Sequence, residues 1–213
     1  MKELEVQVKA AQEEFTQLLR QMTETTGLSK DVYHRFLTYQ YHLTKGVQKH
    51  FLFIAGHPAT ARMRSLRNWL VKFAFEEEFH FEIARNDLKS LGLEPLECPL
   101  DIKLWWAFFN EAIKDRPFLR LGATAILENI ADGSAPILDG LIKNADYLNP
   151  SCLRFLTIHR HGPNLAHGDQ VLDNLAEADL SATEMADALE GARMATVMYM
   201  RLIKWAATGK EAF

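Results

Sequence analysis

Apolar residues recur every three or four positions through long segments of this chain, and Gly, Pro and Asn separate one segment from the next. Alternating, β-branched runs that would make strands are almost absent. Such a chain can bury its apolar residues only by packing helix against helix. Seven helices are predicted. The first runs from about Lys2 to Thr25 and ends at Gly27; the second opens on Ser29 and continues to about Ala55, where Gly56, His57 and Pro58 stop it. The third spans roughly Ala59 to Leu91, and the fourth opens on Asp101 and is rich in aromatics. The fifth has Pro117 in its first turn, small residues that permit close helix contacts, and a bend expected near Gly133 and Pro136. The sixth follows Asn149 and Pro150 and reaches about Ala178. The seventh opens on Ser181 with Glu184 three residues later, a capping box, and ends near Gly209.

At 213 residues the expectation is one helical domain over 1–213, long enough to bury a full core. Lys plus Arg number 24 against 28 Asp plus Glu, so no basic field exists to hold nucleic acid or an acidic membrane. Cys98 and Cys152 stand in no ligand spacing, which argues against a disulfide framework and fits a reducing cytoplasm. The start, MKELEVQVKAAQEEF, is charged and lacks the apolar stretch of a signal peptide, and no later stretch approaches the roughly 18 apolar residues of a membrane span. A cytoplasmic protein with neither nucleic-acid nor membrane partners is expected.

Helix three carries one stripe at spacings of four and three: Leu66, Leu70, Phe73, Glu77, His80, Ala84, Leu88 and Leu91. Glu77 and His80 interrupt it on the side that should face the core. A buried carboxylate costs several kcal/mol unless it finds a cation, a hydrogen-bonding partner or a proton, and a bound metal would satisfy both residues. The bland reading is a solvated acidic face within the run Glu76, Glu77, Glu78; against it, Phe73, Phe75, Phe79 and Phe81 surround the run. Glu128 shares a face of helix five with Leu121, Thr124, Ala125 and Ala135 and is the best third carboxylate. In helix six, His167 shares an inward face with Leu156, Arg160, Asn164 and Val171. Glu77, His80 and His167 would make the two-His, one-carboxylate set of a non-haem iron site, with Glu128 as a fourth ligand or bridge. Glu128 could instead pair with an arginine such as Arg160, and each histidine could be ordinary hydrogen-bonded core. His34, His50 and His57 read as surface residues, whereas His42, beside Tyr39 and Tyr41, is a candidate cavity acid or base. Trp105, Trp106, Phe108 and Phe109 could wall the cavity or be plain core.

The order of these features resembles the haem oxygenase-like superfamily, the seven-helix fold shared by haem oxygenase, the thiaminase II group, pyrroloquinoline quinone synthase and the haem-oxygenase-like diiron oxidases. SKDVYHRFLTYQYHLTKGVQKHF is similar to that fold's second helix, and EEEFHFEIARNDLKSLGLEP to the next, with Glu77 and His80 on its metal-binding Glu-x-x-His. NLAHGDQVLDNL resembles the late helix bearing His-x-x-x-Asp-x-x-His, where His167 takes the last position, and Glu128 falls on the intervening helix that supplies another Glu. The pattern breaks where Arg160 replaces the first His of that motif, Asn164 the Asp, and Leu70 a further Glu. The resemblance implies an oxidoreductase that uses dioxygen on a small organic substrate. Iron would be held by Glu77, His80, Glu128 and His167, and Arg160 and Asn164 would orient substrate. It equally admits a metal-independent enzyme of the pyrroloquinoline quinone synthase type, or a non-catalytic binding protein. The thiaminase II reading lacks a nucleophilic cysteine on helix five, and haem lacks an axial histidine in residues 1–25. An amphipathic bundle with this many aromatics is also expected to form a homodimer.

Overall fold

The computed structural model describes residues 1–159 and 167–210, with only the helical backbone of 167–169. Eleven α-helices and no strand occur among the described residues. They are α1 (Lys2–Glu24), α2 (Lys30–Thr44), α3 (Gln48–Gly56), α4 (Arg64–Glu77), α5 (His80–Ser90), α6 (Leu100–Ala112), α7 (Pro117–Asn129), α8 (Ala135–Lys143), α9 (Arg154–Ile158), α10 (His167–Glu177) and α11 (Ala182–Thr208). The seven expected helices account for all eleven, because helices two, three, five and six are each divided.

Each division has a local cause. Gly46, at φ 87°, separates α2 from α3, and Gly133, at φ 78°, lies in the turn before α8, whose first turn holds Pro136. The break at Glu78 and Phe79 was not anticipated. Glu76, Glu77 and Glu78 crowd the C-terminal end of α4, where the helix dipole disfavours negative charge; stopping there leaves Glu78 and Glu82 at the start of α5, where it favours them. The capping signals behave as their chemistry dictates. Ser29 Oγ accepts from the backbone N–H of Val32, and Ser181 and Glu184 close a reciprocal capping box that opens α11.

Helix α7 is the centre of the bundle. Every residue from Pro117 to Ile126 is buried, as expected for a helix that is apolar on all sides. It runs against α11 at a separation that only glycine allows: a Cβ on Gly122 would lie 1.8 Å from the Ala188 carbonyl oxygen, and one on Gly191 would lie 1.8 Å from that of Leu119. Helix α1 covers α7 and α11 with Leu4, Val8, Ala11, Phe15, Leu19 and Met22, each buried side chain contributing about 1.5–3 kcal/mol where it is large. Its register is pinned where Gln12 Nε2 donates to the Asn129 carbonyl at 2.9 Å and where Thr16 and Ser134 hydroxyls meet at 2.9 Å. A second, smaller cluster of Tyr33, Leu37, Ala84, Leu88 and Phe155 joins α2, α5 and α9. There Asp87 accepts the Phe155 backbone N–H at 2.8 Å, fixing α9 to α5.

Candidate functional site

The stripe predicted on helix three is observed despite the break: Leu66, Leu70, Phe73, Glu77, Ala84 and Leu88 are all buried. Glu77, 5 % exposed, is the last residue of α4, and His80 is the first of α5. His80 Nδ1 approaches Glu77 Oε2 at 2.9 Å, off the line that a hydrogen bond would take, so the pair is held by proximity of charge and dipole. Two of the phenylalanines thought to shield the acidic run do not do so; Phe75 is 67 % and Phe79 61 % exposed.

Glu77 opens onto a cavity of about 190 Å³ enclosed by α1, α2, α3, α7, α8, α9, α11 and the turn before α8. Its walls are mainly apolar, with Phe15, Phe36, Phe51 and Phe155 prominent, and its polar groups include Gln40, Arg120, Glu128, His159 and Tyr199. An apolar cavity of roughly 150 Å³ holds benzene, so this one has room for a molecule about the size of one substituted ring. Of the predicted residues, Glu77 and Glu128 meet here. His42 does not line the cavity; its Nε2 bonds with the Leu96 carbonyl at 3.0 Å, which removes it from the cavity chemistry expected of it. The aromatics of α6 are absent from the wall as well: Trp105 and Phe109 are core, Phe108 is partly exposed, and Trp106 donates to the His42 carbonyl. Arg160 and Asn164, and the side chain of His167, lie outside the described residues.

Arg120 is the residue that sequence reasoning missed. It is 3 % exposed, stacked over the rings of Phe51, Trp105 and Phe109 at 5.0, 5.6 and 5.7 Å, and it donates to the Thr124 hydroxyl at 2.7 Å. Its Nε–H has no hydrogen-bond partner among the described residues. The signal was present, because Arg120, Thr124 and Glu128 stand four apart on one face of α7. Burial pushes the Arg120 guanidinium down to about 10, with Glu128 and Glu77 opposing that shift, so it stays cationic at neutral pH. Glu128 is pushed well above the usual carboxylate range, first by burial and then by the charge of Glu77, against the pull of Arg120. The direction of that shift favours the protonated form of Glu128, beside a fixed cation.

His159, at the end of α9, supplies the complementary group. Its Nδ1 lies 2.7 Å from the Phe155 carbonyl, a bond that puts the proton on Nδ1 and the lone pair on Nε2. Its ring meets His80 edge to face at 4.8 Å and Phe155 at 4.2 Å. Across the cavity, Gln40 Nε2 donates to the Tyr199 hydroxyl at 3.1 Å. His50, expected on the surface, is instead buried; its Nε2 bonds with Asn110 at 3.0 Å, and burial lowers its pKa to about 4.

Among the described residues no three His, Cys, Asp or Glu side chains come together as a metal ion requires. The charge beside Glu77 and Glu128 is that of Arg120. Of the four expected iron ligands, Glu77 and Glu128 line the cavity and His80 adjoins Glu77, while the side chain of His167 lies outside the described residues.

No protein-family model matches the sequence, and neither does any curated protein. A solved structure does match the fold: the 2.30 Å crystal structure of a domain of unknown function with a heme oxygenase-like fold from Shewanella denitrificans OS217. It is 18 % identical, with a TM-score of 0.81 over 100 % of this chain and 98 % of that one. The chain therefore has the haem oxygenase-like fold expected from its motifs. No helix among the described residues is long and apolar enough to cross a membrane.

Proposed function

We propose that this chain is a metal-independent enzyme acting on a single-ring organic molecule bound in the buried cavity. Carrying the proposal is Arg120, a buried cation lining the cavity whose Nε–H has no partner among the described residues. A carbonyl or carboxylate oxygen on the substrate would find its negative charge stabilised by that buried guanidinium in a site with little water. Glu128, whose burial favours its protonated form, serves as general acid, and His159 Nε2, left with the lone pair by the bond at Nδ1, serves as general base; an acid and a base facing one cavity are the usual requirement for proton transfer. Phe36, Phe51 and Phe155 exclude solvent from the reacting atoms.

A second reading, an iron-dependent oxidase using dioxygen with Glu77, His80, Glu128 and His167 as ligands, draws support from α10, which packs on both α4 and α7 and starts at His167. One experiment separates the two. Chelator-treated wild type is screened against aromatic and heteroaromatic acids and ketones by thermal shift, and the ligands found are followed for turnover by mass spectrometry, beside His159→Asn and Glu128→Gln. Turnover that survives chelation and is lost in both variants supports the acid–base enzyme. Activity that appears only with ferrous iron moves the assignment to the oxidase, and ligand binding without turnover in either condition reduces the protein to a binding module.

A further inference from the structure

We propose that the molecule bound in the cavity is a ring carboxylic acid with a short unbranched alkyl group opposite its acid, and that this alkyl group fills a second, wholly apolar chamber adjoining the cavity. The acid end rests on the reading of Arg120 given above; the alkyl end rests on separate walls. The chamber encloses about 40 Å³. Phe15, Phe36, Leu138 and Leu156 belong both to its wall and to that of the cavity, and so form a collar between the two.

Four helices carry the walls past that collar. Gln40 of α2 lines the cavity and Val32 the chamber; on α11 Tyr199 gives way to Ile203 and Ala206, on α1 Phe15 to Leu19 and Met22, and on α8 Leu138 to Leu141. Two hydrogen bonds between α2 and α11 fix the levels: Gln40 Nε2 donates to the Tyr199 hydroxyl beside the cavity, and Arg35 Nε donates to the Ala206 carbonyl at 2.7 Å beside the chamber. Tyr199 and Ala206 are two turns of α11 apart, about 10 Å along its axis, so the two spaces lie end to end along the bundle.

The collar sorts the walls by chemistry. Glu77, Arg120, Glu128 and His159 line the cavity and not the chamber. The chamber presents no polar group; Tyr33, whose ring lines it, donates its hydroxyl proton to the Cys152 carbonyl at 2.7 Å. A water there finds no partner, whereas an alkyl group gains by leaving water. The chamber's 40 Å³ is about a quarter of the roughly 150 Å³ that holds benzene, room for about one or two carbons. A ring lying between the cation and the chamber therefore carries its acid and its alkyl group at opposite positions.

The test is titration calorimetry of the intact, chelator-treated chain with benzoate and its para-methyl, para-ethyl, para-propyl and para-butyl derivatives. The dissociation constant should fall about fourfold per carbon as far as para-ethyl, about fifteenfold in all, and rise again at para-butyl. Ala206→Val fills the chamber and should bring benzoate and para-ethylbenzoate to within about twofold of each other. Leu141→Ala widens it and should move the optimum to para-propyl or para-butyl; the two variants shift the preference in opposite directions, which a general loss of stability does not do. Benzoate that binds without any gain from its alkyl derivatives, or a wild-type preference that persists in both variants, overturns the alkyl chamber and leaves the Arg120 reading standing. Failure of every acid to bind sinks the Arg120 reading, and the chamber's ligand with it.

Discussion

Gly122→Ala tests how closely α7 and α11 are joined. The added methyl would sit 1.8 Å from the Ala188 carbonyl oxygen, about half the ordinary van der Waals separation, and the atom it meets is backbone that cannot rotate away. The helices must part along their length, and overpacking of this kind costs about 3 kcal/mol or more. Alanine's higher helix propensity returns about 1 kcal/mol. A net loss of about 2 kcal/mol lowers the melting temperature of a chain this long by roughly 4–8 °C. Because Arg120 and Glu128 ride on α7 and Tyr199 on α11, ligand affinity should fall with it. The control is Gly140→Ala in α8, where nothing lies within 4 Å of the new Cβ; that change should be neutral or stabilising by up to about 1 kcal/mol. Calorimetry on the two variants decides the matter, and an unaltered or raised melting temperature in Gly122→Ala would refute the close-contact reasoning.

Other perturbations read the buried charges. Glu128 has its folded pKa raised, so the folded state binds the extra proton and wild-type stability should decline as pH rises from about 4.5 through that pKa; Glu128→Gln should lack this component, as urea titrations at successive pH values would show. His50 has the opposite sign. Its folded pKa of about 4 lies below the usual 6.5, so wild type loses stability as pH falls between those values, and His50→Gln should lose about 3 kcal/mol less over that window; parallel acid limbs would contradict it. Asp87→Ala leaves the Phe155 N–H without its acceptor and should cost about 2 kcal/mol in chemical denaturation, whereas Asp87→Asn, which keeps an acceptor oxygen, should cost clearly less.

The fold was legible because its signals are local. Periodicity marks each helix, Ser29 and Ser181 mark starts, and Gly133 and Pro136 mark a bend, all within a few residues of where they act. The inward phase of Glu77 was legible for the same reason, and so was the face of Glu128. Arg120 was overlooked because arginine is almost never wholly buried without a partner, and its burial depends on three rings from two other helices that sequence does not place together. His50 was misread alike: its hydrogen bond is to Asn110, on a helix sixty residues away. The α4–α5 break escaped because the apolar stripe runs through it without a change of phase.

The cavity's walls are unequal in how firmly they are held. Helix α7, with every side chain from Pro117 to Ile126 buried, is anchored on all sides, while α8 buries Leu141 alone of its nine residues. Local opening takes the route that exposes least apolar surface. Displacement of α8 and the Gly133 turn would therefore be the least costly way to open the cavity, and it would leave α7 in place. In hydrogen exchange the amides of α8 would be the first to label and those of α7 among the last, so that a bound ligand slows exchange most in a helix that carries none of the proposed proton-transfer groups.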